Sequence, residues 1–268
     1  VPEYDFEPTF KRLSFLGVNM GFRELVEDSM IIYHPTSVDS QIREVSVANG
    51  NAPIIFNNIK EVPGHRVAIN ILTRKRLCES FDISPGELID ILSWAMENPV
   101  EPQIVDPSEA PVLENTMEIA DLERIPIPWH YPEDGGRYQS SSIIIAQYAG
   151  QRNTSFHRQL TKNHRETCVR LVPRHLRTMV DSAVEAGDDV DIAVVNGPDP
   201  VVLLAGAMSF DKPLDELKVA AALHQRIYET DLKIVELSNG VFVPAEAEYA
   251  MEARITGRRG EEGTTTEV

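Results

Sequence analysis

The sequence predicts an α+β protein, with an N-terminal α/β domain over residues 1–115 followed by a β-rich domain over residues 116–268. Short β-branched runs bounded by Pro, Gly or Asn predict strands in both parts. Amphipathic runs that open with helix-start residues predict helices between these strands. A proline-rich, irregular stretch from Pro99 to Pro132 predicts the crossing from one domain to the other.

In the N-terminal domain, the runs APIIFNN and HRVAINIL predict two strands. The run SPGELIDILSWAMENP predicts a helix, because Ser84 and Glu87 have the spacing of a capping box and Pro85 takes the first helical position. Helical spacing puts a set of apolar residues on one face of this helix: Leu88, Ile91, Leu92, Ala95 and Met96. That face predicts a packing role for the helix.

In the second domain, strands are predicted for the runs SSIIIAQYAG, ETCVRLVP, DIAVVNG, DLKIVELS and AEYAMEARITG. Helices are predicted for RHLRTMVDSAVEAG, DPVVLLAGAM and PLDELKVAAALHQ. Asp199 is the expected N-cap of the second of these helices, and Pro200 follows it. The stretch from Asn153 to His175 has the pattern of paired strands.

The charge and cysteine content exclude several classes of partner. The 42 acidic residues outnumber the 25 Lys and Arg, which gives a formal net charge of −17. This charge repels nucleic acid and anionic membranes, and it would equally suit a protein from a salty cytoplasm. Cys78 and Cys168 lie outside any CxxC pattern, no apolar run is long enough to cross a bilayer, and no signal peptide is visible. A cytoplasmic protein with no nucleic-acid partner and no membrane segment is therefore predicted.

One stretch departs from this acidic background. NTSFHRQLTKNHRETCVRLVPRH, from Asn153 to His175, holds four Arg, one Lys and three His. Basic residues on ordinary surfaces are scattered among acids, whereas these are concentrated in one segment. The stretch is therefore predicted to bind an anion.

Several motifs in this region bring a family into view. The runs NTSFHRQLTKNHRETCVRLVPRHL, GPDPVVLLAGAMSFDKPLDELKVAAAL and EEGTTTEV resemble the UbiD-type decarboxylases, which use prenylated FMN, in both order and spacing. The run APVLENTMEIADLERIPIPWHYPEDGGRY resembles their N-terminal segment, and RLVPRH and LDELKVAAAL look most like the archaeal branch. The resemblance implies that residues 116–268 form a flavin-binding split β-barrel-like domain. It also implies a C-terminal domain that has no counterpart in this sequence. We therefore expect that the sequence is a fragment or that it omits disordered segments near Gly263.

The resemblance implies that Asn153, His175 and Glu216 bind a divalent metal that contacts the cofactor phosphate. Amide and carboxylate oxygens suit Mg²⁺ or Mn²⁺, and the imidazole favours Mn²⁺, with K⁺ as a further candidate ion. A plainer interpretation makes Glu216 a solvated helix residue and His175 a helix residue packed on a strand. The resemblance favours the ligand interpretation.

The resemblance also implies which residues contact the cofactor, and two of the metal ligands are among them. The residues implied are Thr154, Ser155, Phe156, His157, Arg158, Arg174, His175, Met208 and Glu216. The small residues Ala205, Gly206 and Ala207 would allow the backbone to approach a flat ring system, although a small-residue helix packed on a sheet has the same sequence pattern.

Arg158 matches the substrate-side arginine of the family. A guanidinium can hold a carboxylate through two parallel hydrogen bonds, whereas an exposed strand arginine in a surface ion pair is the plainer alternative. Spacing of five residues puts Arg158 and Asn153 on opposite faces of a regular strand, so a bulge or turn is expected between them.

EGTTTE, from Glu262 to Glu267, keeps the five-residue spacing of a glutamate pair in the family, without its Pro-Phe. The resemblance implies that Glu262 pairs with the arginine and that Glu267 delivers a proton to the carbon that has lost CO₂. A frayed, solvated terminus is the alternative interpretation.

The function implied is non-oxidative decarboxylation of an aromatic or α,β-unsaturated carboxylic acid. The substrate would be a hydroxybenzoate or an isoprenoid precursor such as anhydromevalonate phosphate. A flavin prenyltransferase would supply the cofactor, and a homo-oligomer is expected. The alternative is a catalytically silent flavin-binding module, which would lack an intact acid near Glu262 to Glu267.

Overall fold

The computed structural model describes residue 26, residues 29–209 and residues 214–260. These residues form a mixed α+β fold, as predicted. The helices are α1 (Gln41–Ala48), α2 (Arg74–Ser80), α3 (Pro85–Glu97), α4 (His175–Ala186), α5 (Pro200–Ala207) and α6 (Glu216–Tyr228). The strands are β1 (Met30–Ile32), β2 (Ile54–Phe56), β3 (Val67–Ile69), β4 (Gln103–Ile104), β5 (Tyr138–Gln139), β6 (Ile143–Tyr148), β7 (Gln151–Phe156), β8 (Gln159–Thr161), β9 (Thr167–Val169), β10 (Val190–Asn196), β11 (Lys233–Glu236), β12 (Phe242–Pro244) and β13 (Tyr249–Ile255).

The N-terminal sheet has the order β1-β2-β3, in which β1 and β2 are parallel and β2 and β3 are antiparallel. The predicted strands are confirmed as β2 and β3. Helix α1 makes the crossover between the parallel strands, and Ile42 on its inner side packs with Ile32 and Phe56 in a separate apolar cluster. This cluster is the core of the N-terminal sheet.

Helix α3 begins as its sequence predicts. The Ser84 hydroxyl accepts a hydrogen bond from the Glu87 backbone N–H at 3.3 Å, and the Glu87 carboxylate accepts one from the Ser84 N–H at 2.7 Å. Leu88 and Ala95 are buried against the rest of the core, but Met96 is exposed, so its predicted place on the packed face is wrong. Met96 lies about 100° further round the helix than Ala95, which carries it out of the buried stripe.

The central sheet has the order β13-β10-β6-β7, and every pair in it is antiparallel. Helix α4 covers one face, where it packs on Ile144 and Ala146, and α5 and α6 cover the other face, where Ile143 and Ile145 are buried. Burial on both faces explains why β6 is a continuous apolar run. Within the described residues β7 is an edge strand of this sheet, so its outward N–H groups face other elements.

The proline-rich segment is less irregular than predicted. It contains three 3₁₀ turns, at Pro107–Glu109, Pro111–Leu113 and Leu122–Arg124. It also contains β4, which pairs in parallel with β11 and so joins a three-stranded sheet of order β12-β11-β4. The domain boundary near residue 115 stays a prediction.

A further three-stranded sheet, of order β5-β8-β9, takes two of its strands from the basic stretch. The paired strands predicted between Asn153 and His175 are confirmed by the antiparallel pairing of β8 with β9. Over the described parts of the chain no sheet closes into a barrel. Cys78 is buried and Cys168 half-buried, and both are free thiols. None of the helices in the described ranges is long and apolar enough to cross a membrane.

Candidate metal and cofactor site

The start of α6 is held against the open edge of β7 by a buried carboxylate. The Asn153 side-chain amide donates a hydrogen bond to Glu216 Oε1 at 2.9 Å, and the Thr154 backbone N–H donates one to Glu216 Oε2 at 2.7 Å. Asn153 is 4% exposed and Glu216 is 3% exposed. Two of the three predicted metal ligands are therefore in direct contact.

The neighbouring pair of residues fixes this contact. Arg152 donates to both oxygens of Asp215, with Nη2 2.6 Å from Oδ2 and Nε 3.1 Å from each oxygen. Asp215 also caps α6, because its Oδ1 accepts a hydrogen bond from the Leu217 N–H at 3.0 Å. The sequence analysis missed both residues, although an acid before the run ELKVAAAL is a typical N-cap pattern.

The pKa of Glu216 is raised to about 7, chiefly by burial and also by the negative charge of Asp215. The hydrogen bonds from Thr154 and Asn153 act in the opposite direction. Within the described chain, no Lys, Arg or His forms an ion pair with Glu216. A buried carboxylate whose charge lacks a cation is a group that a divalent metal would stabilise.

A chain of polar contacts extends from Asn153 along the same face of β7. Asn153 Oδ1 accepts from the Ser155 hydroxyl at 2.8 Å, and that hydroxyl lies 2.9 Å from His157 Nε2. His157 Nδ1 lies 3.2 Å from the Arg170 carbonyl oxygen. Burial lowers the pKa of His157, which favours the neutral imidazole with a single N–H.

The third predicted ligand, His175, is the first residue of α4 and is half-buried. Asn153 pairs with Ala146, which packs under α4, so Asn153 lies on the face of the central sheet that α4 covers. No hydrogen bond joins His175 to Asn153 or Glu216 in the described chain. Among the described residues, no three His, Cys, Asp or Glu side chains form a cluster that could hold a metal ion. The predicted set differs from such a cluster because one of its three members is an Asn.

Arg174 and Met208 lie at the adjoining helix ends. Arg174 is the N-cap residue of α4, and its Nη1 donates to the Ser209 hydroxyl at 3.0 Å. Met208 is the C-cap residue of α5 and is half-buried. The start of α4 is thus tied to the end of α5, and each of these ends has a residue predicted to contact the cofactor.

Arg158 is not on the Asn153 strand, contrary to the sequence prediction. Strand β7 ends at Phe156, residues 157 and 158 lie outside any strand, and β8 begins at Gln159. The local irregularity expected before Arg158 is confirmed. Arg158 is exposed.

The small residues of α5 serve packing. A Cβ on Gly206 would lie 3.6 Å from the side chains of Ile143 and Thr154, so α5 contacts the sheet at close range there. Ala205 is also buried, whereas Ala207 is exposed. The Thr154 side chain therefore faces α5, on the opposite side of β7 from Asn153 and Ser155. Glu262 and Glu267 lie outside the described residues.

Comparison with known proteins decides the family. A model of the UbiD family, described as the 3-octaprenyl-4-hydroxybenzoate carboxy-lyase Rift-related domain, matches residues 103–268. This chain belongs to the UbiD family. The matched range includes Asn153, His175 and Glu216.

Among UbiD relatives, the chain is 30% identical to the anhydromevalonate phosphate decarboxylase of Methanothermobacter thermautotrophicus, over 88% of this chain and 55% of that protein. It is 32% identical to the enzyme of the same name from Methanocaldococcus jannaschii, over 78% of this chain and 49% of that protein. The chain thus spans about half the length of the curated relatives it matches.

Several solved structures have a similar fold. An evolved dimeric form of the UbiD-class enzyme HmfF from Pelotomaculum thermopropionicum, in complex with prenylated FMN, matches with a TM-score of 0.83 and 28% identity, over 92% of this chain and 59% of that chain. The 3,4-dihydroxybenzoic acid decarboxylase AroY of Klebsiella pneumoniae matches with a TM-score of 0.78 and 22% identity, over 92% and 56%.

Proposed function

We propose that this chain carries the metal- and flavin-binding part of a prenylated-FMN-dependent decarboxylase that acts on an aromatic or α,β-unsaturated carboxylic acid. Membership of the UbiD family, relatives that are decarboxylases by name, and the likeness to HmfF in complex with prenylated FMN all support this function. The observation that carries the proposal is the buried Glu216 carboxylate, which Asn153 and Thr154 hold at the edge of β7. Residues 116–268 would form the split β-barrel-like flavin domain.

The residues present fit a metal ion. Glu216 is the anionic ligand of the proposed set, and it lacks an ion-pair partner in the described chain. The Ser155 hydroxyl has a single proton, which can go to Asn153 Oδ1 or to His157 Nε2. If His157 donates through Nδ1 to the Arg170 carbonyl, Nε2 accepts the Ser155 proton and Asn153 Oδ1 is left for the cation. His175, at the start of α4, would complete the set around Mn²⁺ or Mg²⁺, with K⁺ as a further candidate.

The cofactor, when bound, would supply the electron sink for decarboxylation, and the protein would supply binding, orientation and proton delivery. The metal at Asn153, His175 and Glu216 would compensate the flavin phosphate in a strongly acidic protein. Further contacts to the flavin are proposed for a run of four residues in and just after β7: Thr154, Ser155, Phe156 and His157. Arg158, Arg174 and Met208 are the other proposed contacts.

Arg158 is proposed to orient the substrate carboxylate. Arg158 is exposed and lies just beyond the end of β7. A planar guanidinium is the group that can hold a carboxylate through two parallel hydrogen bonds. This grip would align the bond to be broken with the flavin. The proposed roles of Glu262, as partner of the arginine, and of Glu267, as proton donor, complete the mechanism.

The names of several relatives favour an isoprenoid-precursor acid such as anhydromevalonate phosphate over a hydroxybenzoate as the substrate. A flavin prenyltransferase is the proposed supplier of the cofactor, and the cytoplasm is the proposed compartment. A homo-oligomer is proposed as the assembled form, and the dimeric form of HmfF is a precedent among the structural neighbours.

The proposal can be tested by co-expressing the protein with a flavin prenyltransferase. Native mass spectrometry and absorption spectra should then report bound prenylated FMN and one divalent metal. Release of CO₂ from anhydromevalonate phosphate, compared with 4-hydroxybenzoate, separates the two substrate classes. Bound cofactor without turnover of any acid would identify the silent flavin-binding module instead.

A further inference from the structure

A cavity of about 790 Å³ lies between the N-terminal sheet and one edge of the central sheet. Its polar lining includes Arg43, His65, Arg66, His130, Gln139 and Tyr249. None of the residues proposed to bind the metal or the flavin lines it. The cavity is therefore separate from the site described above.

Four polar atoms at this cavity are buried without a partner. Arg43 Nη1, His65 Nδ1, His130 Nδ1 and Gln139 Nε2 have no hydrogen-bond partner among the described residues. Gln139 is only 6% exposed, and its Oε1 already accepts from Asn196 Nδ2 at 3.5 Å. Buried polar groups cost free energy unless they are paired, so an unsatisfied set around one cavity indicates a polar occupant.

Two of these side chains are held in place by aromatic rings. Arg43 Nε donates to the Tyr131 hydroxyl at 2.9 Å, and the guanidinium carbon lies 5.3 Å from the centre of that ring. The His65 ring stacks on Tyr249, with centroids 6.0 Å apart and planes 15° from parallel. Their unpartnered nitrogens are therefore preorganised, which lowers the entropic cost of binding a ligand.

The charge of the lining favours an anion. The lining holds two arginines, Arg43 and Arg66, and one carboxylate, Glu248, in a chain whose formal net charge is −17. The rest of the wall is largely apolar and includes Ile42, Ile69 and other aliphatic side chains. A volume near 790 Å³ is that of a small-molecule site.

We propose that this cavity binds a small organic anion, in which a carboxylate or phosphate group is carried on an apolar body. Arg43, Arg66 and Gln139 would donate to the oxyanion, and the aliphatic wall would contact the body. The two imidazoles would accept from, or donate to, further polar groups of the ligand. The inference does not depend on the proposed decarboxylation.

The test is calorimetric titration of the full chain with four probes. Phenyl phosphate and benzoate distinguish a phosphate from a carboxylate ligand, inorganic phosphate lacks the apolar body, and benzyl alcohol lacks the charge. We expect saturable binding at one site for phenyl phosphate or benzoate, at least tenfold tighter than for inorganic phosphate or benzyl alcohol. Arg43→Gln and Arg66→Gln should each weaken that binding tenfold or more.

Matched controls locate the binding. Arg254→Gln changes an arginine outside the cavity, in an exposed pair with Asp191. Glu216→Gln changes the proposed metal site. Both variants should bind the probe as the parent chain does. If the arginine variants fail to fold, Ser140→Trp offers a second test, because Ser140 is an exposed cavity residue and a large ring there should block the site. No saturable binding, binding unchanged in all cavity variants that fold, or binding removed by Glu216→Gln would each overturn the proposal.

Discussion

Arg152 and Asp215 join β7 to the start of α6 through a bidentate ion pair, with Nη2 and Oδ2 2.6 Å apart. The next residue of each element, Asn153 and Glu216, forms the buried contact at the proposed metal site. The ion pair therefore sets the register in which the two proposed ligands meet.

Replacing Arg152 with leucine should weaken both stability and the site. The side chains of Arg152 and Asp215 are 14% and 18% exposed, so loss of their charged hydrogen bonds should cost about 2–3 kcal/mol in the free energy of unfolding. Arg254→Leu is the matched control, because its pair with Asp191 is 62% and 40% exposed and should be worth less than about 1 kcal/mol. Urea denaturation measures both, and equal losses would contradict the special role of Arg152.

Glu216→Gln should lower metal and flavin retention together. Glutamine keeps the size of the side chain but removes the negative charge from the proposed set. Because the pKa of Glu216 is raised to about 7 and a ligating carboxylate must lose its proton, Mn²⁺ affinity should increase as pH rises through about 7 in the parent chain. Metal titration of the purified protein at several pH values checks both statements. Unchanged flavin and metal content in Glu216→Gln after dialysis would refute the ligand role.

Asp199→Asn should change how stability depends on pH. The pKa of Asp199 is raised to about 7, chiefly by burial and also by the charge of Glu246, while hydrogen bonds from the Val201 N–H and from Tyr228 lower it. Because the folded pKa exceeds the unfolded value of about 4, the protonated acid favours the folded state below about pH 4, and that contribution is lost as pH rises through about 7.

Asparagine still caps α5 but does not titrate. Subtracting the stability of the Asp199→Asn variant from that of the parent chain therefore isolates the contribution of Asp199 ionisation. The stability of the parent chain relative to Asp199→Asn should therefore fall between about pH 4 and about pH 7. Buried acids that do not interact with Asp199, including Glu216, are common to both chains and cancel in the difference. Thermal melts across this range are the measurement, and a flat difference would show that Asp199 ionises normally.

Local patterns predicted those parts of the fold that depend on neighbours in sequence. The Ser84 and Glu87 capping box and the Asp199 cap of α5 are both confirmed, because each bond lies within three residues. The contact of Asn153 with Glu216 spans 63 positions and leaves no local pattern, so only the family resemblance pointed to it. In isolation, Glu216 in LDELK has the pattern of a solvated helix residue, and its burial depends on the edge of β7.

Local sequence patterns likewise could not predict the ion pair of Arg152 or the cavity proposed to bind an anion. Arg152 is one basic residue among many in its region, and its partner lies in a different helix. The cavity brings together residues from α1, from the segment after β2, from the proline-rich crossing and from β5. A single sequence contains no period or motif that joins such distant segments, because their proximity follows from tertiary packing.

Arg158→Lys tests the catalytic step itself. Lysine keeps the positive charge but loses the planar pair of donors, so the substrate carboxylate would no longer be aligned by two parallel hydrogen bonds. Loss of alignment worth ~3 kcal/mol in the transition state would lower the rate about a hundredfold, while folding and cofactor content are retained. Arg165→Lys is the matched control, because Arg165 is also exposed and lies between β8 and β9, and it should leave the rate unchanged. The measurement is decarboxylation of the accepted acid by protein with equal bound flavin. A near-normal rate in Arg158→Lys would remove the arginine from the mechanism, because no other step proposed for it depends on the shape of the guanidinium.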